Sequence, residues 1–436
     1  MTRAGGCQYN YSNMNGNIPT FYIKALGCKV SQYDAAELRR ELEIRGFKIN
    51  NKEPKVIIIN TCAVTKAAMR KDRQAARRLQ KVYPSALLVI MGCWPQAGNQ
   101  AEQEMSDSSI IFWGVGRIKE LADKISSVFK EVPNRPGQKN SLVVSSDRSR
   151  YFLKIGDGCN QFCAYCLIPY VRGRLQSRPE KEILNEAAAA IAAGYQEIVL
   201  SGIHLGLYGS DLKSHYSLNL LLNKLLALPG TVRYRLSSIE VTEVDDELIA
   251  LMAASKGRLC RHLHISLQSG SDEILKAMRR PYDGAYFAER VRALRKAMPE
   301  IAITTDVIVG FPGETEADFE DTLQFAERLA FAKIHVFSFS AHEQTVAFKL
   351  PGKVSPAEIK RRSERLRALS AVHEEAYREY LLARYAGQNL FLVMEKKGGD
   401  YASGHSEFYP IFRFKKKLFS GLRAGQAMAV ETKYLS

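Results

Sequence analysis

Apolar residues in the first third of the chain recur in short runs separated by amphipathic stretches of helical period, the pattern of a small open α/β sheet. Three of the runs end alike. Phe21–Leu26 leads into Gly27 and Cys28, Val56–Asn60 into Thr61 and Cys62, and Ala86–Met91 into Gly92 and Cys93. Helices are expected over Gln32–Arg45 and Lys66–Val82, and the segment closes near Phe129. Ligands of open α/β sheets gather at the carboxyl ends of strands, so three cysteines so placed can converge on one point although they are far apart in sequence.

A stretch rich in Pro, Gly, Asn and Ser from Val132 to Ser146 reads as a linker, and from Tyr151 a longer βα alternation begins. Strands are expected at Tyr151–Ile155, Glu197–Ser201, Arg233–Ser238, His262–Leu267, Ile301–Val309 and Ile334–Phe339. Helical patterns separate them at Glu180–Ala193, Leu218–Leu228, Asp245–Ala254, Tyr286–Ala297 and Glu316–Leu329, with a long basic helix after Ser355. Six strands each followed by a helix imply a parallel, partial (β/α)6 barrel with its site at the strand C-termini. After about Ala386, short alternating runs at Leu390–Met394, Tyr409–Phe414 and Ala427–Thr432 suggest a small antiparallel β domain. The expected organisation is a lead-in over 1–20, an α/β domain over 21–131, a linker over 132–147, the barrel over 148–380 and the β domain over 384–436.

With 436 residues, 46% of them hydrophobic and 25% charged, the composition is that of an ordinary globular protein and excludes a disordered, collagenous or disulfide-stapled chain. Nearly apolar stretches such as Ala187–Ala193 are far short of the ~20 residues that cross a bilayer. Residues 1–20 lack an apolar signal core, so no membrane partner is expected and the cytoplasm is the expected location. Lys and Arg outnumber Asp and Glu by 62 to 46, a net charge of +16, which favours a polyanionic partner such as nucleic acid. Eight cysteines without an export signal should be reduced thiols, and clusters among them metal ligands.

The sharpest chemical signal is Cys159-Asn-Gln-Phe-Cys163-Ala-Tyr-Cys166, directly after the first barrel strand. Three thiolates within eight residues can hold three irons of a cubane cluster, and no fourth local Cys or His closes the cage. The open iron could chelate the amino and carboxylate groups of a small ligand and pass it an electron. A structural zinc site is the competing reading, but such sites are almost always four-coordinate. Cys7 and Cys260 have no partner at ligand spacing and read as ordinary thiols. Lys66, Arg70, Lys71, Arg73, Arg77, Arg78 and Lys81 crowd one helix, and Lys360, Arg361, Arg362, Arg365 and Arg367 another; each reads as a solvated face or as a phosphate clamp. From Arg384 onward nine Lys and Arg face four Asp and Glu. Phe412-Arg413-Phe414-Lys415-Lys416-Lys417 there suits either base stacking or a strand with one apolar face.

The Cys-x3-Cys-x2-Cys spacing, with Tyr165 before the last cysteine at the head of a six-fold βα barrel, resembles the radical S-adenosylmethionine superfamily. Adding Cys28, Cys62 and Cys93 and a C-terminal β domain, the whole chain from about Phe21 resembles the methylthiotransferases. Leu26-Gly-Cys-Lys-Val-Ser-Gln-Tyr33, Asn60-Thr-Cys-Ala-Val-Thr65 and Asp157-Gly-Cys-Asn-Gln-Phe-Cys163 are most similar to the branch acting on N6-threonylcarbamoyladenosine in tRNA. The family often carries Asn where this chain has Ser31, and the segment Phe337–Thr345 lacks the Arg and Gly expected near His342 and Gln344.

That resemblance implies two 4Fe–4S clusters and S-adenosylmethionine. Cys159, Cys163 and Cys166 would bind the reducing cluster, with Tyr165 near the adenine, and Cys28, Cys62 and Cys93 an auxiliary cluster that holds or delivers sulfur. Ser201 and Gly202, Ser237, Ser238 and Glu240, His264, Ser266 and Gln268, and Val307–Gly310 with Ile308 would line the cofactor and substrate pocket. It also implies a TRAM-like RNA-binding tail, the tRNA anticodon stem-loop as partner, and an electron donor such as flavodoxin or ferredoxin. Replacing an aromatic C–H by C–S needs a radical, which a cofactor and not a side chain provides. A methylthiotransferase for isopentenyladenosine or for a ribosomal-protein side chain, and a non-catalytic iron–sulfur RNA-binding protein, remain as alternatives.

Overall fold

The structure is a computed structural model that describes residues 18–98, 105, 110–129, 149–212, 216–395, 400–415 and 425–435. The expected lead-in up to residue 17, Cys7, all of the 132–147 linker, and Lys416 and Lys417 lie outside the described residues. The chain forms two compact units, one of residues 1–144 and 167–173, the other of 145–166 and 174–436.

In the first unit, β1 (Thr20–Ala25), α1 (Lys29–Ile44), β2 (Lys48–Ile49), β3 (Val56–Thr61), α2 (Lys66–Val82), β4 (Leu87–Gly92), α3 (Cys93–Gln96), β5 (Ile110–Trp113) and α4 (Ile118–Ser127) alternate. The strands form one parallel sheet in the order β2-β1-β3-β4-β5. β3 and β4 are buried on both faces, as their unbroken apolar runs require of central parallel strands. One face packs under Leu38, Leu42, Leu121 and Ile125 of α1 and α4, the other under Ala76 of α2 and Trp94. A short helix from further along the chain, α5 (Ile168–Arg172), belongs to this unit, where Leu167 and Val171 pack on Ala63 and Cys93.

The second unit opens with β6 (Tyr151–Lys154) and a small antiparallel pair, β7 (Gly156–Asp157) and β8 (Gln176–Ser177). It continues with α6 (Glu180–Ala192), β9 (Glu197–Ser201), α7 (Leu218–Ala227), β10 (Arg233–Leu236), β11 (Ser238–Ile239) and α8 (Asp246–Ala254). Then follow β12 (His262–Ile265), α9 (Asp272–Ala277), α10 (Gly284–Ala297), β13 (Ala302–Val309), α11 (Glu316–Leu329), β14 (Lys333–Ser338) and α12 (Pro356–Arg384). All ladders of the barrel are parallel, in the orders β10-β9-β6 and β11-β12-β13-β14. The third strand, expected as one run over Arg233–Ser238, is broken at Ser237, so its first part pairs with β9 and its last two residues with β12. Apolar side chains such as Leu263, Ile265, Ile303 and Val309 point outward into the helix layer. The lumen is left to polar residues of the alternate register, including Arg233, Arg235, His262 and Thr304.

β15 (Asn389–Met394), β16 (Tyr401–His405), β17 (Ile411–Lys415) and β18 (Ala427–Glu431) form an antiparallel sheet in the order β17-β16-β15-β18. It belongs to the barrel's unit and is held there by buried charge. Glu197, fully buried, binds Arg233 and Arg235 at 2.8 Å. Those guanidiniums donate onward to the carbonyls of Phe391, His405, Ser406 and Glu407. Burial alone would raise the Glu197 pKa, but the surrounding arginines pull it well below the usual carboxylate range. Phe412 and Phe414 are core residues of this sheet, 0% and 1% exposed, while Arg413 and Lys415 face out. Base stacking by these two phenylalanines is therefore excluded, and the one-apolar-face reading holds.

Candidate active site

The barrel trio sits on the loop after β6 and β7, the carboxyl end of the first barrel strand. Cys159 and Cys163 are buried and Cys166 is half-buried. Each buried thiol has a nitrogen partner. The Gln161 amide donates to Cys159 Sγ at 3.3 Å, and His204 Nδ1 lies 3.2 Å from the same sulfur. His204 Nε2 is held by the Glu243 carboxylate. Burial pulls the His204 pKa down, but the bonds to Cys159 and Glu243 outweigh it and push it up to about 9, so at neutral pH both ring nitrogens donate. Gly206 makes room for Glu243, since a Cβ there would stand 2.0 Å from its Oε2.

Arg280, whose side chain is 1% exposed, donates from Nη1 to Cys163 Sγ at 3.1 Å and to the Tyr165 hydroxyl at 3.4 Å. It pairs with Glu240, and its Nε donates to the Tyr282 hydroxyl, which donates to the Ser266 carbonyl at 2.7 Å. One arginine thus brings together Cys163, Tyr165, Glu240 and Ser266. Tyr165 and Ile308 pack into the same apolar cluster, with Phe311 and Phe339. Gln268 is buried and has a φ of +68°, a left-handed conformation that costs a non-glycine residue energy. It is fixed there by bonds between its amide and the Asp306 carbonyl and between its carbonyl and the Ile308 amide. Ser201 stands apart: it is fully buried and its hydroxyl donates to the Leu153 carbonyl, so it ties strands together. Gly202 follows β9, and Ser238 opens β11, where it is exposed.

The N-terminal trio is assembled from three strand ends. Cys28 caps α1, Cys62 follows β3 and Cys93 starts α3. The two residues before Cys62 tie these ends together. Asn60 Nδ2 donates to the Ser31 carbonyl at 2.7 Å, and Thr61 Oγ1 donates to the Met91 carbonyl at 2.7 Å while accepting from the Trp94 amide. Gly92, at φ +101°, permits the approach, because a Cβ there would stand 2.5 Å from Asn60 Oδ1 and 2.8 Å from the Thr61 carbonyl. Asp72 of α2 accepts from the Cys62 amide at 2.7 Å. Burial pushes the Asp72 carboxyl up to about 7, only partly opposed by that bond.

Arg172, at the end of α5, reaches this trio with a side chain 0% exposed. Its Nε donates to Cys93 Sγ at 3.3 Å, and its Nη atoms donate to Asp34 Oδ2 at 3.3–3.4 Å and to Ser31 Oγ at 3.3 Å. Burial raises the Cys93 thiol pKa against the opposing pull of Arg172. Burial likewise takes the Cys62 thiol to about 12, with Cys93 and Cys28 adding to the rise, so the three sulfurs are near enough to feel one another's charge. Thiols of this kind hold their protons until a metal displaces them.

Among the described residues, no group of three or more His, Cys, Asp or Glu is gathered for one metal ion. A mononuclear site needs every ligand about 2–2.3 Å from a single centre, whereas in a cubane each thiolate meets its own iron. Two all-sulfur trios without a fourth ligand among the described residues, each with a buried guanidinium against one sulfur, fit a cluster better than zinc. Three of these residues gave no signal in the sequence. His204 and Arg280 touch the barrel trio from 45 and 117 residues away, and Arg172 reaches Cys93 across 79.

An incomplete parallel barrel with a cysteine trio at its first strand end defines a radical S-adenosylmethionine enzyme, and residues 153–326 match the radical SAM superfamily model. Residues 20–113 match a second model, described as uncharacterized protein family UPF0004. The chain is 35% identical over 428 residues to the threonylcarbamoyladenosine tRNA methylthiotransferase MtaB of Thermotoga maritima, covering 96% of this chain and 95% of that one. It is 35% identical over 388 residues to the Bacillus subtilis protein of the same name, covering 86% and 85%. It is also 34% identical over 377 residues to a tRNA-2-methylthio-N(6)-dimethylallyladenosine synthase of Syntrophotalea carbinolica, covering 83% and 85%. Among solved structures, the radical S-adenosylmethionine methyltransferase TsrM of Kitasatospora setae shares the fold, with a TM-score of 0.53 at 14% identity over 74% of this chain and 75% of that one. The chain belongs to the radical S-adenosylmethionine tRNA methylthiotransferases. Membership implies S-adenosylmethionine and a 4Fe–4S cluster as cofactors and tRNA as substrate. No described helix is long and apolar enough to cross a membrane.

Proposed function

We propose that this enzyme converts N6-threonylcarbamoyladenosine, beside the anticodon of cytoplasmic tRNA, to its 2-methylthio derivative, using two 4Fe–4S clusters. The observation that carries the two-cluster reading is the second trio: Cys28, Cys62 and Cys93 at three adjacent strand ends, cross-tied by Asn60 and Thr61. The substrate reading rests on the residues around these cysteines and on the activity for which the Thermotoga and Bacillus relatives are named.

Cys159, Cys163 and Cys166 would hold the reducing cluster, and Cys28, Cys62 and Cys93 the auxiliary one. The chemistry a cluster held by these three sulfurs would supply is one electron for the reductive cleavage of S-adenosylmethionine. The protein's part is orientation and shielding. Arg280 and His204 lie against the ligand sulfurs, and N–H groups donated there would favour the reduced, more negative state of a bound cluster. Tyr165 and Ile308 would offer an apolar wall for the adenine, while Gly202, Glu240, Ser266 and Gln268 would supply polar contacts to the cofactor. Ser201 acts by anchoring the strand end, and Ser238 lies at the exposed rim. The C-terminal sheet serves as a TRAM-like RNA-binding element through Arg413, Lys415 and the exposed aromatics Phe391 and Tyr401. A flavodoxin or ferredoxin supplies electrons.

Mass spectrometry of tRNA nucleosides from cells lacking the protein tests the substrate. The expected result is loss of 2-methylthio-N6-threonylcarbamoyladenosine with its unmethylthiolated precursor accumulating. Loss of the isopentenyl counterpart instead would move the enzyme to the other tRNA branch. Loss of neither would refute the reading.

A further inference from the structure

Two helices of this chain carry seven Lys and Arg each, and they differ in how far acidic side chains neutralise them. In α12, Lys360, Arg361, Arg362, Arg365, Arg378 and Arg384 are all ion-paired, with Glu364, Glu316, Glu314, Glu320, Glu375 and Glu300 among their partners. In α2 the only acid is Asp72, which is 2% exposed and turned inward onto the Cys62 amide. Arg70, Lys71, Arg77, Arg78 and Lys81 are exposed and have no ion pair among the described residues.

We propose that α2 is a docking rail for the phosphate backbone of the tRNA substrate. Its inward face is Asp72 and Ala76, both buried. On a 3.6-residue period Arg70, Arg77 and Lys81 then fall on one outward stripe, with Lys71 and Arg78 beside them. From Lys66 to Lys81 the stripe runs about 22 Å at ~1.5 Å per residue, long enough for several successive phosphates. Five like charges held this close repel one another, and a polyanion relieves that repulsion while releasing its counterions. Arginines suit the task because their guanidiniums match phosphate oxygens in pairs. No aromatic residue interrupts the stripe, so it reads backbone and not bases. The rail is keyed to the N-terminal trio: Thr65 caps it and Asp72 fixes it to the Cys62 amide. RNA on this helix is therefore held in register with that strand end.

The inference rests on the tRNA substrate stated above, and the test separates the two. Binding of a tRNA transcript is measured against KCl concentration for three forms of the cluster-loaded full chain. These are wild type, Arg70→Gln/Lys71→Gln/Arg77→Gln/Arg78→Gln in α2, and Lys360→Gln/Arg365→Gln/Arg367→Gln/Arg378→Gln in α12, which loses the same charge. Iron content and RNA-independent cleavage of S-adenosylmethionine report intact folding in each. The α2 variant should bind on the order of 10- to 100-fold more weakly near 0.15 M salt, with its log–log salt slope shallower by about 3, while the α12 variant stays near wild type. Wild-type binding that α2 substitution leaves unchanged overturns the rail and spares the substrate reading, and so does equal weakening by both variants. Weakened binding to phosphatidylglycerol vesicles with unchanged tRNA binding makes the helix a membrane patch and also overturns it. A wild type that binds no tRNA at any salt overturns the substrate reading itself.

Discussion

The two cysteine trios offer the same three sulfurs by opposite constructions. In the barrel, one eight-residue loop supplies Cys159, Cys163 and Cys166, so the spacing is local. In the N-terminal sheet, Cys28, Cys62 and Cys93 come from separate strand ends, and the site exists only once parallel pairing and the Asn60 and Thr61 cross-ties have formed. Around the sulfurs the two converge. Each buries a guanidinium against one thiol and balances it with a carboxylate: Arg280 on Cys163 with Glu240, Arg172 on Cys93 with Asp34. The barrel alone adds a histidine, His204 backed by Glu243. Among the described residues the barrel sulfurs therefore face one more nitrogen-bearing side chain than the N-terminal sulfurs do.

The most drastic way to break this comparison is to remove one sulfur from each trio. Cys163→Ala should lower S-adenosylmethionine cleavage by a factor of ~10³ or more, as loss of an essential catalytic element does, while about four N-terminal irons remain. Cys62→Ala should spare cleavage, measured as 5′-deoxyadenosine, and abolish methylthio insertion. Retained insertion would strip the N-terminal trio of its role.

Next come the arginines. Arg172→Met removes the buried ion pair with Asp34, a loss of about 3–5 kcal/mol by analogy with other broken buried pairs, read by denaturant unfolding. With the charge gone from Cys93, a redox titration followed by electron paramagnetic resonance should show the potential of the N-terminal cluster falling and that of the barrel cluster unmoved. Arg280→Met should do the reverse. A shift of both potentials by either variant would mean the two sites are not electrostatically independent.

The smallest effect is a difference of sign with pH in the metal-free protein. Asp72 has its folded pKa raised to about 7, so the folded first unit binds the extra proton and its stability falls as pH rises from about 4 to 7. Glu197 is depressed, so its contribution to the second unit is present above the ordinary carboxylate range and is lost as pH falls through the folded value. Each slope is at most about 1.4 kcal/mol per pH unit for one proton. Asp72→Asn should flatten the first in urea unfolding between pH 5 and 7.5, and Glu197→Gln should flatten the second at acid pH.

Periodicity carried the sequence reading furthest where an element's pattern was its own. Lys66–Val82, Glu197–Ser201 and Glu316–Leu329 have the boundaries expected of them, because cap, period and stop signal coincide there. β16 was missed because Ala402, Ser403 and Gly404 carry no apolar alternation; Gly404 sits where a Cβ would stand 2.8 Å from Leu392 Cβ. In β17 the alternating pattern was visible but could not say whether Phe412 and Phe414 face RNA or the core, since both readings share one period. The site divides similarly. Cysteines at strand ends follow from pattern and topology, while Arg172, His204 and Arg280 meet their sulfurs through tertiary contacts that no local spacing encodes.

On the proposed reading, each trio holds a cluster of its own. Anaerobically reconstituted wild-type protein, assayed for iron and by Mössbauer spectroscopy, should contain about eight irons per chain, all in 4Fe–4S clusters. About four irons in a protein with full methylthiolation activity would contradict the account.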